Sequence, residues 1–186
     1  MGELAEQAAS FTKLVSNGNV EVYNEFSLQH ELGIFLRNRL ATYKVQFERN
    51  VKYFFPSEAP FLKKEIDISV FTSDKTDLRL AIELKYPRNG QYPEQMFSFC
   101  KDIAFAEQLH DKGFSTAGLV IFAEDRLFYR GDESGIYGFF RGHRPIHGEI
   151  EKPTGKKDDK VFVRGSYSAY WQPIARPLMY TVIEVC

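Results

Sequence analysis

The sequence is poor in cysteine and contains no long apolar run. Its two cysteines, Cys100 and Cys186, are too few for a disulfide framework and indicate a reducing compartment. No stretch approaches the ~20 consecutive apolar residues of a membrane-spanning helix. The opening residues, MGELAEQAAS, lack the basic and apolar regions of a secretory signal. We therefore expect a cytoplasmic protein without a membrane partner.

The sequence also lacks an excess of charge of either sign, with 24 Lys and Arg against 25 Asp and Glu. A uniformly basic surface is thereby excluded, so a nucleic-acid partner would require a local basic rim. Aromatic residues are abundant, with 17 Phe and 10 Tyr in 186 residues, which predicts a core rich in rings. The length suits one domain, and the absence of repeats and linkers predicts a single domain over residues 1–186.

The periodicity of the apolar residues predicts three helices and six strands. We expect helices over residues 3–16, from about 27 to 41, and from about 93 to 112. We expect strands over residues 43–49, 65–71, 78–85, 117–122, 161–163 and 180–185. Residues 141–160 are polar and rich in Gly and Pro, which is typical of a surface loop. This order of elements predicts an α/β fold with a mixed central sheet flanked by helices.

Two of the predicted strands carry chemistry on one face. In residues 65–71, side-chain alternation places Ile66, Ile68 and Val70 on an apolar face and Asp67 on the opposite one. In residues 78–85, the face opposite the leucines holds Glu83 and Lys85. The polar connection between the strands predicts an antiparallel hairpin.

A turn centred on Lys75 would pair Asp67 with Glu83. Directly opposed side chains have Cβ atoms ~4.5–5.5 Å apart, so two carboxylates at these positions would repel each other. A divalent cation between them removes the repulsion, and Mg²⁺ favours a pair of carboxylates completed by water and phosphate. Lys85 lies on the same face as Glu83, where it is placed to hold the attacking water or to help deprotonate it.

These residues resemble a known signature. Asp67, fifteen intervening residues and then Glu83-Leu84-Lys85 are similar to the motif of the PD-(D/E)xK nucleases, although Ile66 replaces the Pro of that motif. The superfamily includes type II restriction enzymes, Holliday-junction resolvases and repair exonucleases. The resemblance covers residues 25–125 and implies a restriction-endonuclease-like core of order α-β-β-β-α-β. Residues 126–186 would complete this core as C-terminal strands and loops.

The resemblance implies a Mg²⁺-dependent enzyme, with Mn²⁺ as a substitute, that hydrolyses phosphodiester bonds of nucleic acid. DNA is favoured over RNA, internal cleavage over cleavage from an end, and a homodimer over a monomer. The implied metal ligands are Asp67, Glu83 and the backbone carbonyl of Leu84. The implied catalytic residues add Lys85 and also Glu31, a carboxylate on the preceding helix that is a further possible ligand. The alternative for Glu31 is a salt bridge with a basic neighbour.

Four residues near these strands are candidates for substrate binding, with surface decoration as the alternative. They are Arg88 and Tyr86 after the Glu-x-Lys strand, and Lys63 and Lys64 before the Asp strand. Two other functions remain open at this point. One is a catalytically inactive module that holds nucleic acid or protein on the same fold, and the other is a plain α/β scaffold. Metal titration and retention on a DNA column would separate these functions.

Overall fold

The computed structural model describes residues 2–57, 60–88, 90–142, 144–155 and 159–186. Its helices are α1 (Glu3–Ser16), α2 (Glu25–Arg39), α3 (Tyr92–Asp111) and the short α4 (Tyr137–Phe140). Its strands are β1 (Lys44–Asn50), β2 (Glu65–Phe71), β3 (Leu78–Lys85), β4 (Phe114–Ala123), β5 (Ile146–Glu151), β6 (Lys160–Tyr167), β7 (Gln172–Ala175) and β8 (Leu178–Val185). None of the helices in these ranges combines the length and apolarity needed to cross a membrane.

Six strands form one mixed sheet in the order β1-β2-β3-β4-β8-β7. The β3–β4 pair is parallel and the other pairs are antiparallel. Helices α1 and α2 cover one face of this sheet, while α3 covers the other and also contacts the separate β5–β6 hairpin. The predicted α/β class, with a mixed sheet flanked by helices, is confirmed.

Helix α2 lies close against β1. Its first turn is fixed by Asn24, whose side chain accepts a hydrogen bond from the backbone N–H of Ser27 in a capping box. At Gly33 an added Cβ would overlap the Phe47 ring, so glycine permits this close approach. Because α2 packs so closely here, the side of the helix that faces β1 contacts the sheet, and Gln29 lies on that side.

The β2–β3 hairpin has the predicted register from Ile68 to Val70, and a shift after Val70 pairs Phe71 with Leu78. Ile68 pairs with Ile82, and the turn contains Lys75 in the left-handed region at φ 61°. One detail was wrong, because Ile66 does not share the apolar face of Ile68. Ile66 packs instead with Ala81 and the α3 side chain Phe105. The strand is therefore irregular next to Asp67.

The prediction of a loop over residues 141–160 was also wrong. Strand β5 lies in this segment and pairs with β6, and both Ile146 and Ile150 are buried against α3. The two isoleucines are four residues apart and so share one face of a strand, a period that the surrounding Gly and Pro residues obscured. Lys156 and Lys157 lie outside the described residues.

Candidate active site

The carboxylates of Asp67 and Glu83 each reach the neighbouring strand. The Leu84 N–H donates a hydrogen bond of 2.7 Å to Oδ2 of Asp67. The Asp67 N–H in turn donates a longer hydrogen bond, of 3.4 Å, to Oε1 of Glu83. These contacts follow directly after the last backbone pair of the hairpin, Ile68 with Ile82. Side-chain oxygens thus take up N–H groups that are normally used in strand pairing.

This pair belongs to a network of opposite charges in which two of the carboxylates are buried. The Lys63 ammonium donates hydrogen bonds to Oε2 of Glu83 and to Oδ1 of Asp102 on α3, the second at 3.1 Å. Glu83 is 1% exposed and Asp102 is 2% exposed. The Lys85 Nζ lies 3.4 Å from Oδ2 of Asp102. We call Asp67, Glu83, Asp102, Lys63 and Lys85 the charge cluster.

The charge cluster contains more carboxylates than ammonium groups, and the pKa values of two of these carboxylates are raised. Burial raises the pKa of Glu83 well above its ordinary value, and Asp67 and Asp102 raise it further. Burial also raises the pKa of Asp67 to about 6, although Lys63 and the Leu84 N–H act in the opposite direction. Three carboxylates share two ammonium groups here, so the cluster favours binding of an added cation.

The two ammonium groups remain protonated. Burial lowers the pKa of Lys63, but Glu83 and Asp102 more than offset this and raise it above the ordinary value. Burial likewise lowers the pKa of Lys85, and Asp102 together with Glu25 reverses the effect. Both lysines therefore act as cations at neutral pH.

On the α2 side, Asp67 opens onto a small cavity of about 30 Å³. It is lined by Glu25, Phe26, Gln29, Glu48, Asp67 and Leu84. The Gln29 amide donates to the Asp67 carbonyl at 2.9 Å and to Oε1 of Glu48 at 2.6 Å. A cavity of this volume accommodates one water molecule or one small cation, and three of its lining residues carry carboxylates.

Glu48 holds a strained backbone beside this cavity. Its φ of 47° lies in the left-handed region, which is uncommon for a residue other than glycine. The flanking residues of β1 are paired normally, Phe47 with Ile68 and Arg49 with Ile66. Strain of this kind persists only where the surroundings enforce it and is concentrated at functional sites.

The structure does not bring Glu31 to the other predicted site residues. Its carboxylate contacts the Nδ1 of His30 at 3.0 Å, and its side chain lines a groove on the α1 side of α2. Gln29 lies on the opposite flank of the buried stripe of α2 and makes the contact with Asp67. The prediction that Glu31 faces the site was wrong, because the close approach at Gly33 sets the rotation of the helix.

The predicted substrate-binding residues have different environments. Tyr86 is 4% exposed, and its hydroxyl donates a hydrogen bond to Oε1 of Glu124 at 2.7 Å. The alternative of surface decoration was therefore wrong for Tyr86, and a substrate contact stays a prediction. Lys63 is held within the charge cluster. Lys64 and Arg88 are exposed.

Asp102 is not among the site residues predicted from the sequence. The signal available was its spacing, since Asp102 lies three residues from both Phe99 and Phe105, which are fully buried. Its partner Lys63 is 39 residues away in sequence, so no local pattern connects the two. Gln29 was missed because glutamine on a helix carries no specific signal.

The residues present fit a divalent cation. The carboxylates of Asp67 and Glu83 meet between β2 and β3, where they accept from the Leu84 and Asp67 N–H groups, so they offer oxygen ligands at one place. No group of three or more His, Cys, Asp or Glu side chains in the described ranges is arranged around a common metal position. Mg²⁺ is commonly held by only one or two carboxylates, with water and phosphate completing the octahedron. Asp67, Glu83 and the Leu84 carbonyl could supply such a site.

The chain was compared with protein-family models, with curated proteins and with solved structures, and none of these comparisons found a match. The similarity of Asp67 and Glu83-Leu84-Lys85 to the PD-(D/E)xK motif therefore stays a prediction. The chemistry available to this site follows from its own side chains.

Proposed function

We propose that this protein is a Mg²⁺-dependent nuclease that hydrolyses phosphodiester bonds within nucleic acid, preferentially DNA. The observation that carries the proposal is the meeting of two carboxylates across β2 and β3, Asp67 with the Leu84 N–H and the buried Glu83 with the Asp67 N–H. Lys85 follows Glu83 by two residues and belongs to the same charge cluster. Helix α2, the β1–β2–β3 meander, α3 and the parallel strand β4 occur in the order that a restriction-endonuclease-like core requires.

The charge balance supports a cation at these carboxylates. Asp67 and Glu83, together with the Leu84 carbonyl, would hold Mg²⁺ or Mn²⁺. Bound Mg²⁺ would polarise the scissile phosphate and stabilise the negative charge that develops during hydrolysis. Burial is the main cause of the raised pKa values of Asp67 and Glu83, and a bound cation would favour the ionised form of both carboxylates.

Lys85 would act on the water and the phosphate. Its side chain is 16% exposed and lies beside Asp102, which limits the positions available to the ammonium. Because the pKa of Lys85 is raised, the group is a cation at neutral pH and donates hydrogen bonds. We infer that it positions the attacking water and stabilises the negative charge that develops on the phosphate during hydrolysis, and, being protonated, does not itself accept the proton of the water.

One observation favours a second function. The Lys63 ammonium already neutralises Glu83 and Asp102, as a bound cation would. If a divalent cation cannot displace the Lys63 ammonium from Glu83 and Asp102, the protein is a binding module on a nuclease-like fold rather than an enzyme. Such a module would retain nucleic acid in chelator and would bind no divalent cation at Asp67.

The test is a cleavage assay on supercoiled plasmid, single-stranded DNA and RNA, each with Mg²⁺, Mn²⁺ or chelator. The variants are Asp67→Asn and Glu83→Gln, and the matched control is Glu65→Gln, which removes an exposed carboxylate from the same strand. We expect cleavage by the wild type and the control with divalent cation, and none by the two site variants. Equal cleavage by all four proteins would place the activity elsewhere and overturn the proposal.

A further inference from the structure

A groove adjoins the charge cluster on the side where the chain enters β2. Its volume is about 450 Å³, within the range of small-ligand pockets. Phe55 and Phe61 form part of its wall and stack on each other with ring centroids 5.6 Å apart and planes at 26°. Asn50, Lys52, Lys63 and Lys64 also line it, and we call it the Phe55–Phe61 groove.

The charge of this groove is of one sign. Among the described residues that line it, every charged side chain is a lysine. Lys52 and Lys64 are exposed, and neither forms an ion pair with another described residue. By contrast, in the neighbouring cleft Lys101 pairs with Asp159 and Lys160 pairs with Glu149. Lys52 and Lys64 are therefore available to an anion, although the chain as a whole has a net charge of −1.

The Phe55–Phe61 groove adjoins the charge cluster through Lys63. Lys63 lines the groove, and its ammonium contacts Glu83. The Phe105 ring contacts both Phe61 and Lys63. Its centroid is 6.2 Å from the centroid of the Phe61 ring and 5.8 Å from the Lys63 Nζ. If one phosphate of a nucleic-acid strand lay at Asp67 and Glu83, the adjacent nucleotide of the strand would thus lie near the groove.

The combination of rings and free lysines identifies the ligand class. Bases in a duplex hide their faces within the stack, whereas unpaired bases can stack on aromatic side chains while lysines contact the phosphates. We propose that the Phe55–Phe61 groove binds an unpaired nucleotide next to the scissile phosphate, so that the substrate is single-stranded nucleic acid or a single-stranded end of a duplex. This inference rests on the proposed nuclease function for its biological meaning, but its binding step does not require cleavage.

The experiment measures binding in chelator, where no cleavage occurs. The probe is a short fluorescent oligothymidylate, compared with an oligouridylate and with a duplex of equal length, over a series of salt concentrations. The variant Lys52→Ala/Lys64→Ala removes the two free cations, and Lys13→Ala/Lys44→Ala is the matched control. Lys13 lies on α1 and Lys44 at the opposite end of β1 from the groove, and both are exposed. The variant Phe61→Leu retains apolar volume and removes one ring.

We expect the oligothymidylate and the oligouridylate each to bind about tenfold more tightly than the duplex, because both present unpaired bases. For Lys52→Ala/Lys64→Ala, the slope of log affinity against log salt should fall by about 1.4, because each phosphate contact on a single strand contributes about 0.7. Phe61→Leu should lose about tenfold in affinity with an unchanged slope, since it removes stacking and no charge.

The proposal is overturned if the duplex binds as tightly as the single strand, or if the lysine variant keeps the wild-type slope. Thermal melting identifies any loss of folding in Phe61→Leu, and the exposed lysine pair then decides the question. Failure here is distinct from failure of the nuclease proposal. If only the groove proposal fails, Asp67→Asn still abolishes cleavage. If the nuclease proposal fails, Asp67→Asn does not abolish cleavage.

Discussion

The ammonium of Lys63 donates a hydrogen bond to Oε2 of Glu83, a carboxylate that is only 1% exposed. Replacing Lys63 by methionine leaves Glu83 and Asp102 buried without this cation. We expect Lys63→Met to lower the free energy of unfolding at neutral pH by about 3 kcal/mol, the lower end for a buried pair broken on one side, because Lys63 is itself 31% exposed. Urea denaturation in chelator measures the loss.

The same variant should respond more strongly to Mg²⁺. Since the ion no longer competes with an ammonium, Mg²⁺ should stabilise Lys63→Met more than it stabilises the wild type. The exposed neighbour provides the control, because Lys64→Met should match the wild type with and without Mg²⁺. Equal stabilisation of Lys63→Met and wild type by Mg²⁺ would mean that ammonium and cation do not share a position.

Asp67 should make stability depend on pH in the absence of divalent cations. Its pKa is about 6 in the folded protein against an ordinary value of 3.8, mainly because of burial. The folded state therefore keeps this proton where the unfolded chain has released it. The stabilising contribution is fully present below about pH 4 and is lost as the pH rises through about 6.

The comparison that isolates this effect is wild type against Asp67→Asn. The variant should gain stability relative to wild type between pH 4 and 6, by roughly 3 kcal/mol, and the difference should be constant above that range. Glu65→Gln, which changes an exposed carboxylate on the same strand, should show no such step. A flat difference for Asp67→Asn would contradict the raised pKa.

Metal binding should depend on both carboxylates of the hairpin. Isothermal titration of Mg²⁺ into wild type should give a binding signal that is lost in Asp67→Ala and in Glu83→Ala, because each removes a ligand from a site with few protein oxygens. Wild-type affinity in the double variant would place the cation elsewhere.

We expect helix α2 to support Mg²⁺ binding and cleavage through Gln29 and not through Glu31. Gln29→Ala removes the hydrogen bond to the Asp67 carbonyl, so Mg²⁺ affinity and cleavage rate should each fall about threefold to tenfold. Glu31→Gln should leave both unchanged, because Glu31 contacts His30 on the other flank of the helix. The opposite result, a defect in Glu31→Gln alone, would restore the role that the sequence motif implies for Glu31.

Local pattern was sufficient for the hairpin but not for what surrounds it. The bounds of β2 and β3 agree with the predicted 65–71 and 78–85, because alternation and a polar turn both act within the segment. Asp67, Glu83 and Lys85 come together for the same reason. Irregularity next to Asp67, which turns Ile66 to the other face, leaves no mark in the sequence.

Interactions between distant segments determined the rest of the site. The rotation of α2 depends on the contact of Gly33 with Phe47, so the sequence could not decide between the flanks that carry Gln29 and Glu31. Burial of Asp102 depends on Lys63, which precedes β2, and on the position of α3 across the sheet. Each of these requires packing that apolar periodicity does not specify.

Lys85 provides the sharpest separation of catalysis from binding. Its ammonium lies beside Asp102 and supplies no oxygen ligand, so Lys85→Ala should keep Mg²⁺ and nucleic-acid affinity nearly intact. Cleavage should nevertheless fall by about 10²-fold or more, the scale for losing a group that positions water or transfers a proton. Lys85→Arg should not restore the rate, because a planar guanidinium is bulkier than the ammonium and holds its donors in a different geometry. Affinity measured with Ca²⁺ and cleavage measured with Mg²⁺ on the same proteins give the two quantities. If the rate falls only in proportion to affinity, Lys85 binds phosphate or supports the fold, and the nuclease chemistry rests on Asp67 and Glu83 alone.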